Sequence, residues 1–220
     1  MRGFFGLMLA GCVFCCGSDK FTAADGGIDT GIPPTAGCSD GTREAFGDAM
    51  RFSAIAACSG GFAIAGTASG GSAMPQCNRN AGNTSSNPAG AGCSIEDLCA
   101  AGWHVCRSQG DVAMSLPMGT TTCATSDAIA MGFWLTRQTT NLMFQCTGTT
   151  GSQNNVVGCS AGNMGRLADM TCPPLTHTMT FVECNALAPW QCDPTQPDRE
   201  ALTISKSGPG AGGVMCCIGN

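Results

Sequence analysis

Residues 93–116 of the chain are CSIEDLCAAGWHVCRSQGDVAMSL, the stretch with the strongest local structural signals. It holds two serines that are each followed three positions later by an aspartate, a pattern in which both side chains satisfy the free amides at a helix start. These pairs are Ser94 with Asp97 and Ser108 with Asp111. Gly102 lies between the pairs and ends the first helix, and residues 102–106 present a short strand. The stretch therefore predicts a helix, a glycine stop, a strand and a second helix.

Elsewhere the pattern predicts a few short elements separated by loops. Apolar residues recur at helical spacing in residues 40–52, and we expect another helix near residues 163–170. The run FWLT at residues 133–136 and the end of the chain at residues 212–217 predict strands. Glycine, serine, asparagine and proline are frequent in residues 59–92, which we expect to form loops.

The composition indicates that covalent bonds hold the fold together. The 220 residues include 17 cysteines and 32 glycines, but three tryptophans and no tyrosine. Large aromatic side chains supply much of the burial energy of a core, so this core is thin for its length. Disulfides persist in oxidising compartments, and fourteen cysteines, an even number, lie from Cys38 to Cys217. We therefore expect an exported α+β module with about six to eight disulfides.

The N-terminus has the layout of a secretory signal. Residues 1–11 carry one arginine, a short apolar run and small residues, and the run is far below the ~20 residues that span a bilayer. LAGC at residues 9–12 resembles the lipobox of bacterial lipoproteins, which implies cleavage before Cys12 and lipid attachment to its sulfur. An ordinary signal peptide cut nearby is the alternative. Residues 12–37 would form a flexible tether, and residues 38–220 one disulfide-rich module.

The order of elements resembles that of C-type-lectin-like modules, especially their bacterial variants. The resemblance rests on CAAGWHVCRS at residues 99–108 before a capped helix, on a later tryptophan-bearing strand, and on a cysteine-bearing terminal strand. The module also resembles cysteine-rich predicted lipoproteins of myxobacteria-like organisms. The resemblance to C-type-lectin-like modules implies a small α+β fold with a short mixed or antiparallel sheet, two or three helices and long loops. The residues expected to be structural are Trp103, His104, Trp134, Cys99, Cys106, Cys216 and Cys217.

The resemblance also implies an internal arrangement and a candidate site. Trp103 and Trp134 would be buried near each other, and the terminal strand would lie beside the first part of the module. Residues 137–212 would be a long irregular region, tied by five cysteines, in which such modules bind ligands. Within it, QPD at residues 196–198 matches the tripeptide that ligates calcium and sugar in galactose-binding members. The candidate ligand-binding residues are thus Gln196 and Asp198, although a proline-rich acidic turn explains them without calcium.

A secreted serine hydrolase is the interpretation from another class. GCSAG at residues 158–162 matches the nucleophile-elbow pattern around Ser160, with Asp169 and His177 downstream. That motif needs a strand, a turn and a helix at the centre of a large parallel sheet, which the flanking residues do not predict. The chain has two histidines, far apart in sequence, so no histidine-based metal cluster can form locally. We therefore expect a protein that is not an enzyme, with no cofactor and no metal.

The charge balance restricts the partners. Without Arg2 the chain has 9 basic and 15 acidic residues, a net charge of −6, and it has no run of lysine or arginine. Such a surface repels phosphates, so nucleic acid is not an expected partner. We expect a protein of the cell envelope or the extracellular space, anchored by lipid to the outer membrane, that binds carbohydrate or an envelope protein. An envelope structural protein with no ligand is the remaining alternative.

Overall fold

The computed structural model describes residues 36–67, 74–123, 131–141, 143–147, 154–161, 164–167 and 172–219. Its strands are β1 (Ile55–Ser59), β2 (Trp103–Val105), β3 (Gly132–Thr140), β4 (Cys146–Thr147), β5 (Val156–Ala161), β6 (Arg166–Leu167), β7 (His177–Met179), β8 (Trp190–Gln191), β9 (Ser205–Lys206) and β10 (Gly212–Ile218). Its helices are a 3₁₀ helix (Ile95–Leu98), α1 (Gln109–Ser115), α2 (Phe181–Ala186) and α3 (Glu200–Thr203). None of the described helices is long and apolar enough to cross a membrane.

Eight of the strands form one mixed sheet in the order β1-β10-β3-β5-β7-β6, with β2 beside β10 and β4 beside β3. The terminal strand β10 lies inside this sheet. It pairs antiparallel with β1 on one side, and on the other side parallel with β3 and antiparallel with β2. The remaining pairs in the sheet are antiparallel. The prediction of a mixed sheet is confirmed, as is the pairing of the terminal strand with the first part of the module.

The sheet buries side chains on both faces, because successive side chains along a strand point to opposite sides. Phe133 and Leu135 of β3 belong to one core cluster, whereas Trp134 between them belongs to another. Trp103 of β2 lies in the first cluster with Phe133. The expectation that Trp103 and Trp134 pack near each other is therefore wrong, because the alternation of β3 sends Trp134 to the opposite face.

The same alternation separates the two adjacent cysteines of β10. Cys216 lies in the first core cluster and is bonded to Cys99, whereas Cys217 lies in the second and is bonded to Cys106. Neighbouring residues in a strand cannot reach the same face, so each cysteine takes a different partner. The two disulfides tie opposite faces of the terminal strand to the segment around β2.

All fourteen cysteines from Cys38 to Cys217 are paired, which confirms the prediction of a disulfide-rich α+β fold. The seven disulfides are Cys38–Cys58, Cys77–Cys93, Cys99–Cys216, Cys106–Cys217, Cys123–Cys159, Cys146–Cys172 and Cys184–Cys192. They connect loops to strands in most parts of the described chain. They stabilise a fold whose few aromatic side chains contribute little burial energy.

Both capped starts in residues 93–116 are present. The Ser94 N–H donates to Asp97 Oδ2 at 2.8 Å at the start of the 3₁₀ helix. The Asp111 N–H donates to Ser108 Oγ at 3.2 Å at the start of α1. The strand between them is β2, as the glycine stop predicts. The first element is a 3₁₀ rather than an α-helix, and it extends for only four residues before Cys99.

The prediction of a helix in residues 40–52 is wrong. This segment is a series of turns and bends around Arg43, whose guanidinium donates to backbone carbonyls along it. The acceptors are the carbonyl oxygens of Ala36, Phe46, Phe52 and Ile55, at 2.6 to 3.2 Å. Phe46 has φ +56°, which an α-helix does not allow. The apolar spacing instead reflects burial of Phe46 against Phe52, edge to face, at 5.2 Å between ring centroids.

Two further expectations about regular structure need correction. Near residues 163–170 the described part, residues 164–167, contains strand β6 and not a helix. Residues 137–212 are not a long irregular region, because they contain the end of β3, strands β4 to β9 and helices α2 and α3. Their disulfides and short strands replace the long loops that a lectin-like arrangement predicts. The described parts of residues 59–92 form loops, as expected, except for Ser59, which is the last residue of β1.

Candidate ligand-binding groove

A groove with a volume of about 460 Å³ lies where four separate segments meet. These are the β3–β4 turn, the residues before β5, the start of α2 and the segment leading into α3. Its lining combines aromatic rings, amides and carboxylates, including Phe144, Asn154, Asn155, Thr180, Phe181, Glu183, Asp198 and Glu200. Small-molecule sites in proteins are commonly several hundred Å³ and mix apolar walls with a few placed polar groups. This groove is therefore the candidate functional site.

The start of α2 forms one wall. Thr180 is the N-cap residue of this helix, and its hydroxyl donates to Glu183, so the Glu183 side chain folds back over the helix start. Phe181 and Val182 come between them, and the Val182 side chain is exposed. TFVE at residues 180–183 has the spacing of a capping box, so this helix start could have been found from the sequence.

The residues before β5 form the floor. Asn154 and Asn155 are both buried. The Asn154 carbonyl accepts from the Ala201 N–H at 3.1 Å, which attaches α3 to the floor. Asn155 Nδ2 donates to Thr140 Oγ1 at 3.1 Å, which fixes its amide against β3. Packed strands and a helix therefore hold the floor, which favours a preformed site.

The β3–β4 turn presents an aromatic ring to the groove. Asn141 organises this turn, because its Oδ1 accepts from the backbone N–H groups of Met143 at 2.9 Å and Gln145 at 3.0 Å. Phe144 has φ +58°, a left-handed conformation that is unusual for a bulky residue. Strained backbone of this kind persists where the surroundings enforce it, often at ligand sites.

Glu200 is the most unusual group in the groove. Its side chain is buried, with 1% exposure, and its carboxylate accepts from its own N–H and that of Phe181. Its Oε2 atom is buried and has no hydrogen-bond partner among the described residues. Burial raises the pKa of Glu200 to about 7, and the charges of Asp198 and Glu183 raise it further. This oxygen is sealed beneath the groove and is not exposed at its surface.

The charge of the groove is wholly negative. Glu183, Asp198 and Glu200 are its three ionisable lining residues, and no lysine, arginine or histidine lies among the described lining residues. A negative site disfavours phosphate and other anions and favours neutral donors or cations. The electrostatics therefore agree with the charge balance of the whole chain.

The two predicted ligand-binding residues have different positions. Asp198 lines the groove. Gln196 is not among the lining residues, because its Nε2 donates to Asp193 Oδ2 at 3.0 Å and its Oε1 accepts from Arg199 at 3.5 Å. Asp193 also accepts from the Thr195 N–H at 2.8 Å, so residues 193–196 form a self-contained turn. Asp198 therefore lines the groove, whereas Gln196 lies outside it.

His104 lies between β2 and α1. Its Nε2 is 2.9 Å from Asp111 Oδ2, which also accepts from the Arg107 N–H at 2.8 Å. Burial raises the pKa of Asp111, but the hydrogen bonds from His104 and Arg107 outweigh it, so the net pKa is lowered. The contact ties the start of α1 to β2, which is a packing role.

The residues of the hydrolase alternative lie within the sheet. Ser160 is 2% exposed inside β5, opposite Phe133 of β3, and does not lie at a strand-to-helix turn. His177 of β7 pairs with Gly158, and its Nδ1 is 2.8 Å from Thr176 Oγ1. Asp169 lies outside the described residues, as does Cys12. The described geometry therefore offers no accessible nucleophile at Ser160.

One group of three potential metal ligands has its atoms within 4.8 Å of one another among the described residues. It consists of Cys77, Cys93 and Asp97. The two sulfurs are joined in a disulfide, and Asp97 accepts from the Gln76, Cys77 and Arg79 N–H groups at 2.8 to 2.9 Å. All three side chains thus have structural partners already.

Comparison with protein-family models, curated proteins and solved structures finds no match to this chain. The function is therefore inferred from the groove and from the chemistry of the residues that line it.

Proposed function

We propose that the chain is an exported binding module of the cell envelope that recognises carbohydrate in the groove between α2, α3 and the β3–β4 turn. The observation that carries this proposal is the lining itself, which combines two phenylalanines with asparagines and carboxylate residues. Sugars present hydroxyl groups on their edges and apolar C–H groups on their faces. Amide and carboxylate oxygens accept from the hydroxyls, and aromatic rings cover the apolar faces.

The proposal also includes the localisation of the protein. The disulfides are compatible with an oxidising compartment, and the lipobox-like residues 9–12 support lipid attachment at Cys12. Fatty-acid labelling should mark the full chain, whereas a Cys12→Ser variant should take up no label and should leave the membrane fraction. A full chain that takes up no label contradicts the lipid anchor and leaves the groove proposal untouched.

The C-type-lectin-like identity is a narrower hypothesis. The side-by-side pairing of β1 and β10 and the disulfide between Cys99 and Cys216 support it. The separation of Trp103 and Trp134 on opposite faces counts against it. Carbohydrate binding in this groove does not depend on that identity, since Gln196 of the lectin-like tripeptide lies outside it.

Phe144 allows a direct test of the groove. A Phe144→Gly variant removes the half-buried ring, and relief of the positive φ offsets part of the stability lost with it, so it should still fold. On a glycan array, any glycan bound by the parent protein should bind this variant at least about tenfold more weakly, a loss of ~1.4 kcal/mol. Met143→Ala is the matched control, because Met143 is in the same turn, is 71% exposed and does not line the groove.

Asp198→Ala gives an independent second variant, since Asp198 is exposed and lines the groove. It should weaken the same glycan as Phe144→Gly. Binding that neither variant changes would place the glycan elsewhere on the protein, and the absence of any bound glycan would contradict the proposed function.

A further inference from the structure

We propose that exposed methionines make the surface of this protein an acceptor of oxidising equivalents, where hypochlorous acid is consumed and methionine sulfoxide forms without loss of the fold. The modification sites are Met50, Met74, Met114, Met118, Met131 and Met143. The inference goes beyond the proposed function and is independent of it, since none of these six residues lines the groove.

The first observation is the exposure of these side chains. Methionine ordinarily belongs to the residue types that are most often fully buried. In the described chain, however, each of the six methionines is at least 67% exposed. Only two other large apolar side chains of the described chain are exposed, Val182 and Ile218. Single exposed apolar residues are normal, so the notable feature is that most of them here are thioethers.

The second observation is that other oxidisable groups are absent or shielded. The chain contains no tyrosine, and its three tryptophans are at most 3% exposed. The fourteen cysteines from Cys38 to Cys217 form disulfides, and all but Cys77 and Cys146 of them are buried. The Lys206 side chain, whose amine hypochlorous acid would chlorinate, is 1% exposed. An oxidant in solution therefore meets the exposed thioethers first.

The reaction at each site is a two-electron oxidation of sulfur. A sulfur lone pair attacks the chlorine of hypochlorous acid, the S–Cl bond forms and the Cl–O bond breaks. Water then replaces chloride on sulfur and loses its protons. The net change is thioether plus hypochlorous acid to sulfoxide, chloride and one proton, so sulfur loses the two electrons that chlorine gains. Each site thus removes one molecule of oxidant, and the product is the first and reversible oxidation state of methionine.

The position of the methionines decides whether the fold survives this reaction. A sulfoxide is polar and disrupts a core in which the methionine is packed. Met179 and Met215 are such residues, fully buried in the two core clusters, whereas the six exposed methionines belong to neither cluster. Their sulfoxides would remain in water, where a change of side chain has little effect on stability. The arrangement therefore places the reactive sulfur outside and keeps the structural sulfur inside.

Titration of the full chain with hypochlorous acid, followed by quenching and peptide mapping by mass spectrometry, tests the inference. We expect the six exposed methionines to become sulfoxides before Met179 or Met215 reacts. The near-ultraviolet circular dichroism and the thermal midpoint should stay those of the untreated protein up to that point. Met1, Met8 and Met170 lie outside the described residues, so their peptides are scored separately.

A variant with all six exposed methionines replaced by leucine removes the thioethers and keeps apolar side chains of similar volume. It should fold like the parent, consume fewer equivalents of oxidant, and lose its circular dichroism signal at a lower ratio of oxidant to protein. The matched control is Val182→Leu with Ile218→Leu, which changes the other two exposed apolar residues and should consume as much oxidant as the parent.

Three results would overturn the inference, and none of them bears on carbohydrate binding. The first is oxidation of Met179 and Met215 at the same oxidant ratio as the six exposed methionines. The second is unfolding of the parent while only exposed methionines are oxidised. The third is a leucine variant that consumes as much oxidant as the parent and resists it equally well.

Discussion

Glu200 links the groove to the stability of the fold. Burial raises its pKa to about 7, so the folded protein retains a proton that the unfolded chain releases at lower pH. A group of this kind favours the folded state most strongly below its ordinary pKa, and that contribution is lost as the pH rises through the folded value. The ionised form is left buried beside Asp198 and Glu183.

We therefore predict that the ligand-free protein loses stability between pH 5 and pH 8 partly because Glu200 ionises. A Glu200→Gln variant should lose less over that range, by on the order of 1 kcal/mol, since nearby solvent reduces the full effect of the shift. Denaturant unfolding of both proteins at the two pH values measures the difference. Glu44, whose pKa burial also raises to about 7, is present in both proteins and cancels. Identical pH dependence in the two proteins would show that Glu200 ionises freely.

Gly213 has no side chain, and this allows β10 to pair closely with β1 and β3. It lies in β10 between β1 and β3, where an added Cβ would collide with the carbonyl oxygen of Cys58. The Cys38–Cys58 disulfide fixes β1, and pairing with β5 fixes β3, so neither strand can move easily to make room.

We predict that Gly213→Ala lowers the free energy of unfolding by roughly 2–4 kcal/mol through this overlap. Gly47→Ala is the control, because a Cβ at Gly47 meets nothing within 4 Å and its φ is not in the left-handed region. Chemical denaturation of both variants measures the effect. Equal stability of the two would mean that β1 and β10 can separate at little cost.

At the scale of elements, a buried ion pair joins the 3₁₀ helix to the sheet. Arg137 of β3 donates to Glu96 Oε1 from Nη2 at 2.6 Å and from Nε at 3.1 Å. Glu96 also accepts from the Val105 N–H of β2 at 3.2 Å, and Arg137 donates to the Thr67 carbonyl at 2.8 Å. Three elements and a loop therefore meet at two charged side chains that are nearly free of solvent.

Removing one partner of this pair should be costly, because the other charge stays buried. We predict that Arg137→Met destabilises the protein by about 3–5 kcal/mol. The double variant Glu96→Gln with Arg137→Met should recover part of that loss, since it leaves no uncompensated charge. Thermal and denaturant unfolding of the three proteins forms the test. A double variant less stable than Arg137→Met alone would contradict this account.

At the scale of the whole molecule, two disulfides close nearly the same long loop. Cys99–Cys216 spans 117 residues and Cys106–Cys217 spans 111. While one of these disulfides is intact, the other closes only a small additional loop in the unfolded chain. The entropic stabilisation from closing the large loop is therefore lost only when both disulfides are removed. The effects of removing them should therefore not add.

We predict that replacing the cysteines of either bridge by alanine costs about 2–3 kcal/mol, whereas replacing both pairs costs about 7 kcal/mol on the loop-entropy model. Unfolding by denaturant under non-reducing conditions measures the three variants. Alkylation of the parent protein without reductant is the accompanying control, and it should modify no cysteine from Cys38 to Cys217. Strictly additive losses would show that residual structure in the unfolded chain replaces the loop constraint.

Local chemistry explains which elements could be predicted. The capped starts at Ser94 and Ser108 and the strand after Gly102 depend on neighbours within a few residues, and all three were found from the sequence. The helix expected in residues 40–52 failed because the Arg43 guanidinium, in reaching carbonyls from Ala36 to Ile55, stabilises a different backbone path. Apolar spacing shows that residues are buried, but the tertiary contacts decided the conformation.

The sequence by itself determined that this protein depends on disulfides, because an even set of fourteen cysteines accompanies few large aromatic residues. It also indicated the order of elements around Trp103 and the terminal strand. Only the tertiary structure decided which cysteines pair, since the alternation of β10 sends Cys216 and Cys217 to opposite faces. The groove too is apparent only in the tertiary structure, because its lining residues Phe144, Asn155, Glu183 and Glu200 are distant in sequence. Their meeting depends on strand register and on loop closure, which act over separations that local sequence patterns do not encode.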